Sequence, residues 1–305
     1  MDELLIVFLA GFAASFVDGA LGMGFGPASS SILLGTGLSP AAISTTVNLA
    51  KVATGITAGV SHWRFHNIDR SLVLRLAIPG SVGALLGVTV LASVDGDRLR
   101  PFLTALLLLM AFRILLRFSR ALPKSRDGGK LGEAGRLDYD SRGVPVAAVA
   151  GGVTNGLIGA WGPVVTPFLL HRGVSPRYAI GCVNTAEVAV AIVASGSLLA
   201  SVGGGGVNVA VVVAMLAGGV LAAPIAAWTI RFIPARALGV AVGGLLLLTN
   251  VRELANYAGL GGIRWAAYGA VIAACSYAAM RPRIQQRRAG EAWLPPVEPA
   301  PETGS

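Results

Sequence analysis

Gly26–Lys51 reads GPASSSILLGTGLSPAAISTTVNLAK, and Gly162–Glu187 reads GPVVTPFLLHRGVSPRYAIGCVNTAE. The second overlays the first without a gap when the chain is shifted by 136 residues. Gly26-Pro27 meets Gly162-Pro163, Leu33-Leu34 meets Leu169-Leu170, and Gly37 meets Gly173. Ser39-Pro40 meets Ser175-Pro176, Val47-Asn48 meets Val183-Asn184, and Ala50 meets Ala186. That makes ten identities in 26 positions, and the paired Pro and Asn residues are hard to produce by composition alone. An internal repeat decides architecture before any single element does. The chain is therefore read as two copies of one unit.

Outward from these segments the sequence is dominated by apolar runs: Leu4–Val17, Ala41–Ser61, Leu72–Val94, Phe102–Leu116, Val144–Leu170, Ala179–Val202, Val207–Phe232, Ala237–Leu248 and Ala266–Met280. Over the 305 residues, 54% are hydrophobic and 13% charged, and the mean hydropathy is +0.71. Soluble domains carry about 25% charged residues. A membrane-spanning helix needs roughly 20 apolar residues, which several runs meet outright and others meet with their flanks. The expected fold is all-α and polytopic, with a first repeat over 1–120, a linker over 121–143 and a second repeat over 144–252. An additional helix follows over 253–281, with its apolar centre near 264–280, and then a basic, Pro-rich, disordered tail over 282–305. The acidic start, Met1-Asp2-Glu3, lacks the basic region of a cleaved signal, so the first run is expected to be retained.

The net charge of +9 does not point to nucleic acid, because the basic residues sit between apolar runs. There they act as topology determinants, with Arg and Lys on the cytoplasmic side. Arg120, Lys124, Arg126, Lys130, Arg136 and Arg142 place the linker inside, and Arg64, Arg70 and Arg75 agree with it. If Val144–Leu170 crossed once, Arg231, Arg236 and the tail Arg281, Arg283, Arg287 and Arg288 would lie outside. If it enters and returns as a broken hairpin, all of them move inside. The expectation is a re-entrant hairpin plus three spans in each copy, which makes the two copies inverted. Inverted repeats with discontinuous helices are a transporter design whose site lies near mid-membrane. Cys182 and Cys275 lie far apart in apolar runs, so no disulfide framework or redox pair is expected.

Each hairpin breaks at glycines followed by proline, Gly22-Met23-Gly24-Phe25-Gly26-Pro27 and Gly159-Ala160-Trp161-Gly162-Pro163. Glycine allows the reversal, and proline suits the first turn of the next helix. Ser29, Ser30 and Ser31 follow in one copy and Thr166 in the other. Two half-helix N-termini would then point at the membrane centre, offering N–H groups and positive potential to an anion. The plain alternative is that Gly and Pro only kink packed helices. Recurrence in both copies favours the site.

Polar residues inside apolar runs are functional candidates. Lys51 and Glu187 occupy equivalent positions. Lys51 can attract the anion while Glu187 carries a coupling proton, or the two can form a buried structural pair, and the readings are not exclusive. Asn48 and Asn184 sit one helical turn earlier on the same face, suited to hydrogen bonding the substrate or to packing between helices. Asp18 can accept from hairpin N–H groups or take part in ion coupling. His62 and His66 flank Trp63-Arg64 as an interfacial anchor, and His171 is read as a surface residue.

The Phe16-Val17-Asp18-Gly19 stretch, its glycine cluster, the apolar Leu-Leu-x-x-Gly-x-Ser-Pro that follows, and the recurrence of this pattern resemble the TauE/SafE sulfite exporter family over about 8–250. That resemblance implies a plasma-membrane permease, without a cofactor, for sulfite or organosulfonates such as sulfoacetate. Members often show Gly-Gly-Gly at the break and Pro before the Leu-Leu. Here Gly24-Phe25-Gly26-Pro27 replaces the first, and Ser31 stands where that Pro would be. The second copy keeps Pro167-Phe168-Leu169-Leu170, but Trp161 interrupts its glycines and its break is read as four residues shorter, which pairs Asp18 with Ile158. Trp161 is expected to narrow the site or stack on a substrate.

The function expected is secondary transport of a small sulfur-containing anion by alternating access. Gly24, Gly26, Ser29, Asn48, Lys51, Trp161, Gly162, Thr166 and Asn184 would bind it, and Glu187 and Asp18 would serve coupling. A carboxylate or inorganic anion is the alternative cargo. An embedded enzyme would need a catalytic set, and no HExxH, mid-membrane His/Asp cluster or nucleophile elbow occurs. No cofactor, metal or nucleic-acid partner is expected; the partners are the anion, the bilayer and a possible second copy in a homodimer.

Overall fold

In the computed structural model the described residues are 2–21, 25–119, 137, 139–202, 208–229, 235–260 and 263–288. Among them there are eleven helices and no strand. The first five are α1 (Asp2–Leu21), α2 (Phe25–Leu34), α3 (Pro40–Arg64), α4 (Arg70–Ser93) and α5 (Gly96–Ser119). The next five are α6 (Val144–Ile158), α7 (Gly162–His171), α8 (Pro176–Val202), α9 (Val209–Thr229) and α10 (Ala235–Tyr257), and α11 (Ile263–Arg288) closes the series. Pairs of long helices start or stop 136 residues apart: α3 with α8 at Pro40 and Pro176, and α4 with α9 at Ser93 and Thr229.

The repeated punctuation has local causes. Gly37 and Gly173 adopt φ of 86° and 89° after α2 and α7, the left-handed geometry that ends a helix and that other residues resist. Two residues on, Ser39 accepts the Ala42 N–H at 3.2 Å and Pro40 opens α3. Lengths and hydropathies of α4, α5 and α8 suffice to cross a membrane; α1, α2, α6, α9 and α11 contain shorter apolar cores. Large apolar side chains such as Ile78, Val82, Leu86, Val213 and Val220 point outward, which a lipid-facing surface requires.

The copies exchange partners. α4 packs along α6, and its equivalent α9 packs along α1, the equivalent of α6. α3 packs on α8 and α5 on α10, each on its own counterpart. Small residues permit these approaches. A Cβ at Gly83 or Gly87 would overlap the carbonyls of Val149 or Val153, and one at Gly218 would overlap Phe8. Membrane helices associate by this kind of close packing, because apolar burial gives little drive in lipid.

The second break spans 159–161, between α6 and α7, whereas residues 22–24, between Leu21 of α1 and Phe25 of α2, lie outside the described residues, and with them the relative length of the first break. In the unshifted 136-residue register the position equivalent to Asp18 is Thr154. Two differences from the sequence reading matter. The end of the linker is anchored rather than freely solvated. Asp69, 2% exposed, caps α4 by accepting from Ser71 and Leu72, and its second oxygen accepts the Leu137 N–H at 2.8 Å. Beside it, Arg172 pairs with Asp140. At the other end of the chain α11 runs to Arg288, so residues 282–288, read from sequence as the start of a disordered tail, are helical.

Candidate functional site

The second break is built in detail. Gly159 ends α6 with φ of 67°, and its N–H closes on Asn155 O at 2.7 Å. Ala160 N–H reaches Thr154 O, while the Thr154 hydroxyl donates to Ala160 O at 2.6 Å. The chain then doubles back: Gly151 faces Val165, Gly143 faces Phe168 and Arg172, and Asp140 N–H meets Arg172 O at 3.3 Å. Trp161 precedes Gly162, and Pro163 lies in the first turn of α7.

A helix that ends in the protein interior leaves carbonyls needing donors. Here the first copy supplies them. Ser30 donates to Ile158 O at 2.6 Å, Ser44 to Gly156 O at 2.7 Å and the Asn48 amide to Asn155 O at 3.2 Å. Lys51 completes the set from α3. Its ammonium donates to Gly159 O, to Asn155 Oδ1 at 3.2 Å and to the carboxylate of Glu187 on α8. Three N–H groups thus meet three acceptors. Asn155 also donates its amide to Asn48 Oδ1 at 2.7 Å, which fixes the orientation of both amides. The Lys51 side chain is 5% exposed and that of Glu187 16%. Breaking a buried pair by removing one partner costs about 3–5 kcal/mol, whereas replacing both can be neutral.

The start of α2 faces the second break across this cluster. A Cβ on Gly26 would overlap the Gly159 carbonyl, so α2 and the break touch through backbone. Asp18 from α1 accepts the Phe25 N–H at 3.3 Å, where α2 begins. A carboxylate is favoured at that end of a helix. Between the start of α2 and the second break lies a small pocket lined by Asp18, Phe25–Pro27, Lys51, Gly159, Gly162, Pro163, Asn184 and Glu187, with space for about one water molecule. A buried cation, two carboxylates, an amide and two half-helix starts therefore share one cavity.

Of the residues singled out from sequence, Asp18, Gly26, Lys51, Gly162, Asn184 and Glu187 come together at this pocket. Gly24 lies outside the described residues. Asn48 stands behind Lys51 in the amide network. Ser29 donates to Phe25 O in its own helix, and Thr166 is fully buried with its hydroxyl unpartnered. Trp161 turns away from the pocket: its ring packs beside Gly80 and Gly151, and its N–H donates to Val183 O at 3.2 Å. Asn155 and Ser44 are the contributors that sequence reasoning missed. Asn155 had a legible signal, an amide in the otherwise apolar run Val144–Ile158. Ser44 had none, since hydroxyls on membrane helices commonly bond their own backbone.

The comparisons agree with this architecture. The family model described as sulfite exporter TauE/SafE matches residues 7–253. The chain is similar to the probable membrane transporter protein YtnM of Bacillus subtilis (strain 168), with 38% identity over 268 residues that cover 84% of each chain. No solved structure matches. With a family model that spans most of the chain and every residue lining the pocket, the chain belongs to the TauE/SafE family of membrane transport proteins.

Proposed function

We propose that this permease carries a small sulfur-containing anion, sulfite or an organosulfonate, across the plasma membrane by alternating access, without enzymatic chemistry. The observation that carries the reading is the buried Lys51 ammonium beside the backbone contact between the start of α2 and the break at 159–161. A small tetrahedral or pyramidal oxyanion suits that position. Its oxygens can take the ammonium, the Asn184 amide and N–H groups near Gly26 and Gly162, while half-helix starts add positive potential. Glu187 and Asp18 serve coupling.

The division into 1–120 and 144–252, inverted about the pocket, has support in helix directions. α7 runs back along α6, so α8 crosses as α6 does and α9 returns against it. Gly11 meets Met215 and Ser15 meets Gly219, equal steps that make α1 parallel to α9. α1 therefore opposes its own equivalent, α6. Re-entrant hairpins in both copies follow, with the linker and the chain end after α11 in the cytoplasm by the positive-inside rule. Rocking of the two units would open the pocket to either side in turn. The pocket must widen for an oxyanion to enter, as expected of a form between the two openings.

The test is binding to detergent-purified protein by thermal shift with sulfite, sulfoacetate, sulfate and acetate. A selective rise with sulfite or sulfoacetate, absent when Lys51 and Glu187 are both replaced by Met, supports the reading. Equal responses to acetate would redirect it to carboxylates, and a persistent response in the double variant would remove Lys51 from the site.

A further inference from the structure

Both features that should attract an anion are already occupied by the protein itself. Glu187 holds the Lys51 ammonium, and the Asp18 carboxylate accepts the first N–H of α2. Lys51 has no donor left, because Asn155 and Gly159 take the other two. An incoming anion cannot add to this arrangement; it must replace a carboxylate. We propose that the anion enters by displacing Glu187 from Lys51, and that Glu187 leaves as the neutral acid, so that each anion is carried with one proton. This rests on the anion reading above and extends it to the coupling ion and its stoichiometry.

The charges require the proton. A displaced, ionised Glu187 would remain in the same cavity as the anion, with Asp18 also present. Like charges that close, in a poorly solvated site, do not both stay ionised. Among the described residues the titratable groups facing the cavity are Asp18 from α1, Lys51 from α3 and Glu187 itself. α2, α6 and α7 contribute Phe25–Pro27, Gly159, Gly162 and Pro163, which cannot take a proton, and Asn184 supplies only an amide. Displacing Glu187 offers the anion the full charge of the Lys51 ammonium, whereas the Phe25 N–H that Asp18 accepts offers a partial one. The step balances: carboxylate plus proton gives carboxylic acid, Lys51 keeps its charge, and a monovalent anion moves with no net charge. The device is one-sided. At the position of Asp18 the second copy has Thr154, whose hydroxyl donates to Ala160 O, so the α7 start carries no built-in carboxylate from that position. The anion therefore settles towards Gly162 and Lys51.

The experiment measures protons taken up when methanesulfonate, which does not itself titrate near neutrality, binds the purified full chain in weakly buffered detergent solution. Wild type should take up about one proton per anion, and its affinity should fall about tenfold per pH unit above neutrality. Lys51→Arg, whose guanidinium keeps its proton, should still take up one. The double variant K51R/E187Q should bind with no uptake and no pH dependence. Binding without uptake in wild type, or undiminished uptake in K51R/E187Q, would overturn the proposal while leaving the anion site intact. If neither wild type nor the double variant binds methanesulfonate, sulfite or chloride, the anion reading falls and this inference with it.

Discussion

The starts of α2 and α7 carry the same Gly-Pro step, yet the described residues around them are finished differently. Around 159–161 the chemistry is closed: Ser30, Ser44, Asn48, Asn155 and Lys51 satisfy one another and the end of α6. The equivalents on the other side are Gly19 for Asn155, Ile180 for Ser44 and Glu187 for Lys51. Among the described residues the network is not reproduced there, and Asn184 and Glu187 face the pocket instead. Both halves line the pocket, Asp18 and Lys51 from the first and Asn184 and Glu187 from the second, but the hydrogen-bonded support behind it gathers at the end of α6.

The largest expected effect breaks the join between the two sides. Lys51→Met alone leaves Glu187 as an unpaired buried carboxylate and should cost about 3–5 kcal/mol, read as a lowered thermal midpoint, while K51M/E187M recovers most of it. If the double variant is as unstable as the single one, the pair is not the source of the loss. Next comes Gly159→Ala. It forces an L residue into the left-handed region and drives a Cβ into Val47, with an expected loss of about 2–4 kcal/mol. The control Gly37→Ala, also left-handed but in open space, should cost only the backbone part, about 1 kcal/mol.

Asn155→Ala and Asn184→Ala sharpen the comparison. Removing Asn155 strands buried partners on Asn48 and Lys51 and should cost about 1–3 kcal/mol. Asn184→Ala should change thermal stability by less than this and reduce the anion-induced shift by more. Equal losses of stability would erase the distinction between scaffold and site.

The smallest effect lies at the base of the second hairpin. The Arg142 N–H, and then Arg172, hold the carboxyl of Asp140 below its usual range. A lowered folded-state value favours the native chain above the ordinary carboxylate range, and that contribution disappears as pH falls through the folded value. Asp140→Asn should therefore lower the thermal midpoint slightly near neutrality and not at all in acid. A difference that grows in acid would contradict the assignment.

Much of this was legible in the sequence because the duplication preserved the residues that punctuate helices. Ser39-Pro40, Gly37 and Gly26-Pro27, each repeated 136 positions on, fixed where helices begin and end. The equivalence of Lys51 and Glu187 anticipated a meeting of the copies, since residues near an axis relating two repeats fall together. Side-chain direction was not legible. Trp161 sits in the glycine-rich break, and only the packing of α4 shows that Gly80 makes room for its ring away from the pocket. The anchoring of Leu137 by Asp69 joins distant, dissimilar segments and carries no periodic signal.

Transport itself is tested most directly by flux. Proteoliposomes containing wild type or K51M/E187M, matched for insertion, would be loaded with unlabelled sulfite or sulfoacetate and offered the sulfur-35-labelled anion outside. Wild type should accumulate label by exchange, and the double variant, though folded, should not. Equal accumulation in both would contradict a site built on Lys51, and no accumulation of either anion by wild type would contradict a sulfur oxyanion as the cargo.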